Sequence, residues 1–469
     1  MKQCILLECD TFSPYKLKNW LSESNFDEKY DIYILIKTKR YKLFNEILSI
    51  FPNLKCIVHE DLFTYKPNVK IDINSHFEFT KNYLNDQITS RLLDRQGYWP
   101  SYGIGVQNGL GYYTDVSYNV MSFLKEKEIK LIYFRNTPHE AAEWMLAKLA
   151  DFLAIDVYTS ERFVLPWLFT LSKGYLKDRE SVCEDFELNP AEDLREHITN
   201  FAKLISDKYD LAMPSYEKNR LGRGVFKFYN PFKHLTKSIR RPHDFINKTI
   251  NFLYYKKHAN NIDFKKTKYI VFFLHYQPER STLPEGFEFI DQFYAIKTLS
   301  MMLPAGVKLV VKEHPSTFTR QSASKFRNLY QYKLLNKLIN VDICLMSVDN
   351  FQLIDYSLAV ATITGTAAVE AYIRKKPVII FGLNNLLVEG VHGFSSIDEL
   401  QDFIDRVVNQ SIIIDNVIEN LFNLCVKKSA SGMTKSPDDE IDYYLKYEYQ
   451  EVAHYKLLSK LLNIKLNPC

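Results

Sequence analysis

The sequence predicts an α/β protein built from two doubly wound units, on three observations. Short β-branched runs alternate with longer amphipathic ones, the pattern of parallel βαβ units with both sheet faces covered. The alternation is interrupted after about residue 175 and restarts near Lys268. At 469 residues, 46% hydrophobic and 25% charged, the chain is long enough for two or three ordinary globular domains. The boundaries read from these shifts are 1–175 for a first Rossmann-like unit, 176–264 for a helical and then basic connecting segment, 265–430 for a second Rossmann-like unit, and 431–469 for a C-terminal helical segment.

In order along the chain, the strands of the first unit are CILLEC near residue 4, DIYILI near 31, LKCIVH near 54, IKLIYF near 129 and AIDVYT near 154. Between Arg91 and Asp115 the rhythm breaks. Gly97, Gly103, Gly105, Gly109 and Gly111 stand among aromatics there, which predicts a functional loop or lid. The second unit reads KYIVFFLHY, VKLVVKEHP, VDICLMS, LAVATITG and KPVIIFG, with a helical pattern over 287–302. Beyond residue 430, Ser436, Pro437 and the acids Asp438, Asp439, Glu440 and Asp442 open a terminal helix, and capping explains them without a metal.

Charge and cysteine usage narrow the function classes. Sixty Lys and Arg against 56 Asp and Glu leave a net +4, too little for a surface that gathers nucleic acid. Basic character is local: between Lys218 and Lys257 there are 11 Lys or Arg against Asp244 alone, interleaved with aromatics. That segment reads either as a solvated linker or as a peripheral patch for anionic lipid. Seven scattered cysteines with no CxxC or Cys/His spacing fit a reducing compartment. No run approaches the roughly 20 apolar residues of a membrane span, and the apolar start MKQCILLECD is too short for a signal-peptide core. The expectation is a cytoplasmic protein, with residues 218–257 as the candidate contact to the inner face of the membrane.

No GxxxxGK[ST], HExxH or GxSxG occurs, and GIGVQNGLG has the wrong spacing for a dinucleotide fingerprint. What stands out are strand exits, because ligands of open parallel sheets bind at the carboxyl ends of the strands. The strand VKLVVKEHP ends in Lys312, Glu313, His314 and Pro315, a cation and an imidazole suited to an anion. Thr364, Gly365 and Thr366 lie between a strand and a helix, where Gly365 permits a tight turn, Thr366 is expected to cap the helix, and its first N–H groups face a phosphate. Glu370, one turn on, is in position for ribose hydroxyls. His275, Gln277, Glu279 and Arg280 cluster where a strand leaves its sheet before Pro278. In the first unit, IKLIYFRNTPHEAAEW puts His139 and Glu140 on the first turn of a helix, as candidate general bases, with Glu143 a less direct one. Each motif alone also reads as an ordinary strand end or helix cap.

Taken together, HYQPERSTLPEG, LPAGVKLVVKEHPS and ATITGTAAVEAYIRKKPVIIFG resemble the sequential motifs of the bacterial capsular-polysaccharide synthesis family, and TPHEAAEW resembles a segment of the same group. The resemblance runs from about residue 130 to 385. It implies a GT-B-like fold, two facing Rossmann-like domains with a cleft between them, in which the first holds the acceptor and the second the nucleotide-sugar donor. It also implies a glycosyltransferase that moves a nonulosonic acid (sialic or pseudaminic type) or a Kdo-like sugar from a CMP-activated donor to a capsular glycan or glycolipid. The family's HP motif falls on His314 and Pro315 and its small-hydroxyl motif on Thr364, Gly365 and Thr366, both expected at the nucleotide phosphate. Its glutamine-containing strand exit falls on Gln277 and Glu279. An acidic-acidic-glycine motif carried by some relatives has no clear equivalent here, which leaves the base open. No cofactor, metal or nucleic acid is expected. The competing readings are a UDP-sugar epimerase of the same two-domain shape and a non-catalytic capsule assembly or export partner.

Overall fold

The computed structural model describes residues 2–9, 14–37, 41–68, 71–83, 86–96, 106–165, 168–183, 194–206, 242–277, 279–314, 316–319, 327–431, 458–459 and 461–462. The chain divides into two compact units, one of Met1–Pro190 with Cys425–Glu440 and Tyr444–Cys469, the other of Ala191–Leu424 with Ile441–Tyr443. Both are α/β and built on a largely or wholly parallel, Rossmann-like sheet.

The first unit contributes β1 (Gln3–Glu8), β2 (Tyr30–Ile36), β3 (Leu54–Val58), β4 (Ile129–Phe134), β5 (Asp156–Arg162), β6 (Leu168–Lys173) and the short β7 (Glu180–Ser181). In its sheet β3, β2, β1, β4 and β5 lie side by side and parallel, and β6 and the two-residue strand Ala430–Ser431 add an antiparallel edge. The runs ILLE and ILI of β1 and β2 are buried without alternation, as expected where helices cover both faces. Leu458, Leu461 and Leu462 pack into this core, which also holds Ile5, Trp20, Ile34 and Phe44. The remainder of the expected terminal helix lies outside the described residues.

One expectation fails here. The glycine-rich stretch is not a loop throughout: a helix over Gln87–Gln96 precedes it, and a helix over Val106–Glu126 runs through both Gly109 and Gly111. Tyr113, Val116, Val120, Met121, Phe123 and Leu124 of that helix are buried, so tertiary packing outweighs a glycine penalty of about 1 kcal/mol each. Residues 97–105, with Gly97, Gly103 and Gly105, lie outside the described residues.

The second unit contributes β8 (Lys268–Phe273), β9 (Val307–Lys312), β10 (Val341–Cys344), β11 (Ala359–Thr362), β12 (Val378–Ile380) and β13 (Val391–Gly393). All six are parallel, in the order β10-β9-β8-β11-β12-β13. Numbered within the unit this is 3-2-1-4-5-6, whose direction reverses between β8 and β11, and ligands of such sheets bind where it reverses. Six free cysteines lie among the described residues, and no helix described is long and apolar enough to cross a membrane.

Candidate functional site

The exits of β8, β9 and β11 meet at that reversal, and His275 is their hub. Two residues beyond β8, its imidazole is nearly buried. Its Nε2 lies 3.1 Å from the Thr362 hydroxyl at the end of β11 and accepts the N–H of Thr364 at 3.3 Å. An accepting Nε2 assigns the proton to Nδ1, which faces Glu279 Oε2 at 3.3 Å and the Ser281 hydroxyl at 3.2 Å. Gln292 clamps the same residue by its backbone, accepting from His275 N–H at 2.7 Å and donating to its carbonyl at 3.1 Å.

Gly365 completes the turn because nothing larger fits. A Cβ there would stand 2.7 Å from Thr362 Oγ1 and 3.4 Å from the His275 ring. Gly365 N–H donates to Thr362 Oγ1 at 3.2 Å, and Thr364 Oγ1 donates to the Ser281 carbonyl at 2.7 Å, which ties the β11 turn to the β8 exit. Thr366 does not cap the helix Ala367–Ile373 as expected. Its backbone is already helical (φ −58°, ψ −22°) and its side chain makes no capping bond. The N–H groups of Thr364 and Gly365 are spent within the turn, so an anion would meet those of the first helical turn, Thr366 and Ala367, which have no intrahelical partner. Glu370 sits mid-helix and half-buried.

From β9, His314 reaches the same place. Its ring lies 5.1 Å from that of Tyr276 and within electrostatic reach of the Glu279 carboxyl. Burial alone would push Glu279 up, but the hydrogen bond from His275 holds it below the usual carboxylate range. Ser316 N–H donates to His314 Nδ1 at 3.1 Å, which assigns the His314 proton to Nε2, a donor suited to a phosphate oxygen. Gln277 is turned inward, donating to Thr282 Oγ1 at 2.5 Å. Pro315 lies outside the described residues.

Lys312 departs from expectation. It is 3% exposed, and its ammonium donates to the carbonyls of Leu345 and Met346 at 3.2 Å each and to that of Val348. Burial lowers its pKa to about 8. Three carbonyls in a buried pocket consume the cation that the sequence offers to a phosphate, so Lys312 holds the loop after β10 instead.

Beneath the site lies a buried ion pair that spacing and pattern did not reveal. Glu313 and Arg327, 1% and 2% exposed, meet at 3.0 Å. Glu313 also accepts from His314 N–H at 2.7 Å, Thr317 Oγ1 at 3.0 Å and Tyr332 OH at 2.6 Å, while Arg327 Nη2 donates to the His275 carbonyl at 2.8 Å. The pair thus fixes the backbones of both site histidines. In the sequence Glu313 is only one residue of a strand end, and Arg327 carries no signal.

In the first unit, the exit of β4 lies at the corresponding reversal, between β1 and β4. Glu140 is the residue before the helix Ala141–Phe152 rather than part of its first turn, and it shares a capping box with Glu143. Its carboxylate pairs with Lys37 at 2.5 Å. His139 Nδ1 lies 3.0 Å from the Thr137 carbonyl and 3.4 Å from Glu143, which assigns its proton to Nδ1 and leaves Nε2 as the basic nitrogen. Thr137 is held in turn by Arg179 at 2.9 Å, and Arg179 is paired with the buried Glu161.

Comparison with known proteins identifies this ground in part. Residues 252–403 match the capsule polysaccharide biosynthesis protein family. The resemblance drawn from the sequence is borne out over that span, which contains the whole β8, β9 and β11 constellation. No curated protein matches the chain. Among solved structures, similar ones include KpsC of Thermosulfurimonas dismutans, described as a beta Kdo 2,4 transferase, at 13% identity over 59% of this chain and 78% of that one, with a TM-score of 0.30. HepE of Anabaena, in complex with UDP and glucose, is 12% identical over 91% of this chain and 95% of its own, TM-score 0.26. The UDP-GlcNAc 2-epimerase of Methanocaldococcus jannaschii is 13% identical over 89% and 93%, TM-score 0.24.

Proposed function

We propose that the protein is a glycosyltransferase that moves a nonulosonic acid or Kdo-like sugar from a CMP-activated donor to a capsular glycan acceptor. One observation carries the reading: the exits of β8, β9 and β11 meet at the sheet reversal within the family-matched segment, where the β8 exit is flanked by a proton-donating His314 near Glu279 and by a rigid Thr364–Gly365 turn against His275. In the transfer, the anomeric carbon parts from the CMP phosphate oxygen and takes the acceptor oxygen. The phosphate left behind accepts hydrogen bonds from His314 Nε2–H and the first-turn N–H groups of Thr366 and Ala367. A nucleoside monophosphate carries less charge than a diphosphate, so these donors suit it without a metal. Glu370 binds the nucleoside end, Gln277 steadies the β8 exit through Thr282, and Glu279 acts through His275. In an inverting reaction the acceptor proton passes to a base, and His139, with Glu143 behind its Nδ1–H, fits that role better than the ion-paired Glu140.

The test is product analysis. Incubation with CMP-activated sugars and a capsular oligosaccharide should give an acceptor enlarged by one residue, together with free CMP. Conversion of a UDP-sugar to its epimer in the absence of acceptor would overturn the reading.

A further inference from the structure

The connecting segment delivers the chain into the helix Pro242–His258, which packs against a second helix, Leu329–Lys337. Residues three, four and seven apart share one face of a helix. On the first helix that relation joins Ile246, Ile250, Leu253 and Lys257, and the apolar three are 51%, 43% and 58% exposed. The opposite face buries Asn251, Tyr255 and Ala259. On the second helix the same relation joins Tyr330, 66% exposed, to the exposed Lys333 and Lys337, opposite the buried Tyr332 and Leu335. The two outward faces adjoin at Asn336, whose amide donates to Tyr254 OH at 3.1 Å, each of these residues lying on the flank between its helix's exposed and buried sides.

Charge says what such a face meets. Residues 246–262 and 328–341 contain no Asp or Glu, while Lys256, Lys257, Lys333 and Lys337 are all exposed. A solvated helix face of ordinary composition mixes both signs. Here apolar side chains stand bare among lysines and tyrosines, the composition of helices that lie in a bilayer interface. The sequence leading in has the same sign: residues 218–241 hold eight Lys or Arg and no acid.

We propose that the face shared by the helices Pro242–His258 and Leu329–Lys337 docks on an anionic lipid bilayer, with Ile246, Ile250 and Leu253 inserted at the headgroup boundary and the four lysines over anionic headgroups. The inference goes beyond sugar transfer and does not rest on it.

Flotation of the full chain with vesicles tests this without any donor. The protein should rise with phosphatidylglycerol/phosphatidylethanolamine vesicles and not with phosphatidylcholine, and salt should weaken the association. The double variant I250D/L253D should lose vesicle binding by about tenfold or more, and K333A/K337A by about fivefold for each lysine removed. Both should unfold at the wild-type temperature, because all four side chains are exposed. Failure of the wild type to float overturns the proposal. So does undiminished flotation of both variants, which would assign binding to 218–241 alone. A wild-type dimer that I250D/L253D makes monomeric, with no vesicle capture, would assign the face to a second copy and overturn it equally.

Discussion

The histidines His275 and His139 stand at the reversals of two similarly ordered sheets, one after the first strand of its unit and the other after the fourth, and are bound in opposite ways. In the second unit, both nitrogens of His275 are engaged, by Thr364 and Thr362 on one side and Glu279 and Ser281 on the other. In the first, the bonds of the His139 ring to described residues are all at Nδ1. The first arrangement suits a ring that shapes a binding turn, the second a ring that exchanges a proton. The lesson is that position in a fold does not assign a role; the hydrogen bonds at each nitrogen do.

The comparison can be broken first at the buried pair Glu313–Arg327, which fixes the backbones of both second-unit histidines. Replacing Glu313 by Gln or Arg327 by Met strands the other partner in a buried site, and urea unfolding should show a loss of about 3–5 kcal/mol. Removing Arg195, exposed in its pair with Glu419, should leave the unfolding midpoint close to that of the wild type. If the two pairs cost alike, the buried pair is not the framework. Next, His314→Ala should lower turnover by about 10²–10³-fold with little change in stability, as for loss of one donor to a developing charge. An unfolding temperature that falls along with turnover would mark His314 as structural.

Gly365→Ala drives a Cβ into Thr362 Oγ1, and overpacking of about 1–3 kcal/mol should appear in the unfolding midpoint together with weaker nucleotide binding. A wild-type midpoint would mean that the turn yields. In the first unit the effect is smaller and depends on pH. Burial would raise the Glu143 carboxyl, but the neighbouring His139, by its charge and its backbone N–H, holds it below 4.5. A carboxyl depressed in the folded state adds stability above its unfolded pKa of about 4.5, and this is lost as pH falls through the folded value. Glu143→Gln should therefore lower stability at neutral pH, where the contribution is full, and leave the acid end little changed, so that the acid limb of the profile flattens. The smallest effect is expected at Lys312, whose ammonium faces three carbonyls: Lys312→Met should alter CMP affinity by less than about twofold while shifting stability.

Much of this was legible in the sequence, for reasons that also explain what was not. Strand runs such as KYIVFF and VKLVVK are continuous and apolar because both sheet faces are covered, so the strand exits, and with them His275, His314 and Gly365, could be found from pattern alone. Contacts between strands leave no spacing. Arg327 reaches Glu313 from 14 residues away, and Thr362 meets His275 across 87. Lys312 was misjudged because a strand-end lysine can turn either to the crevice or to a neighbouring loop, and only the carbonyls of Leu345, Met346 and Val348 decide it. The helix through Gly109 and Gly111 was hidden because local propensity opposes what its buried face demands.

Calorimetric titration of CMP into the wild-type protein and into His314→Ala, with UDP as the control nucleotide, tests the central claim most directly. The account expects CMP to bind the wild type more tightly than UDP and to lose affinity in the variant, which should otherwise unfold like the parent. Equal CMP affinity in both proteins, or a wild type that takes UDP and not CMP, would contradict it.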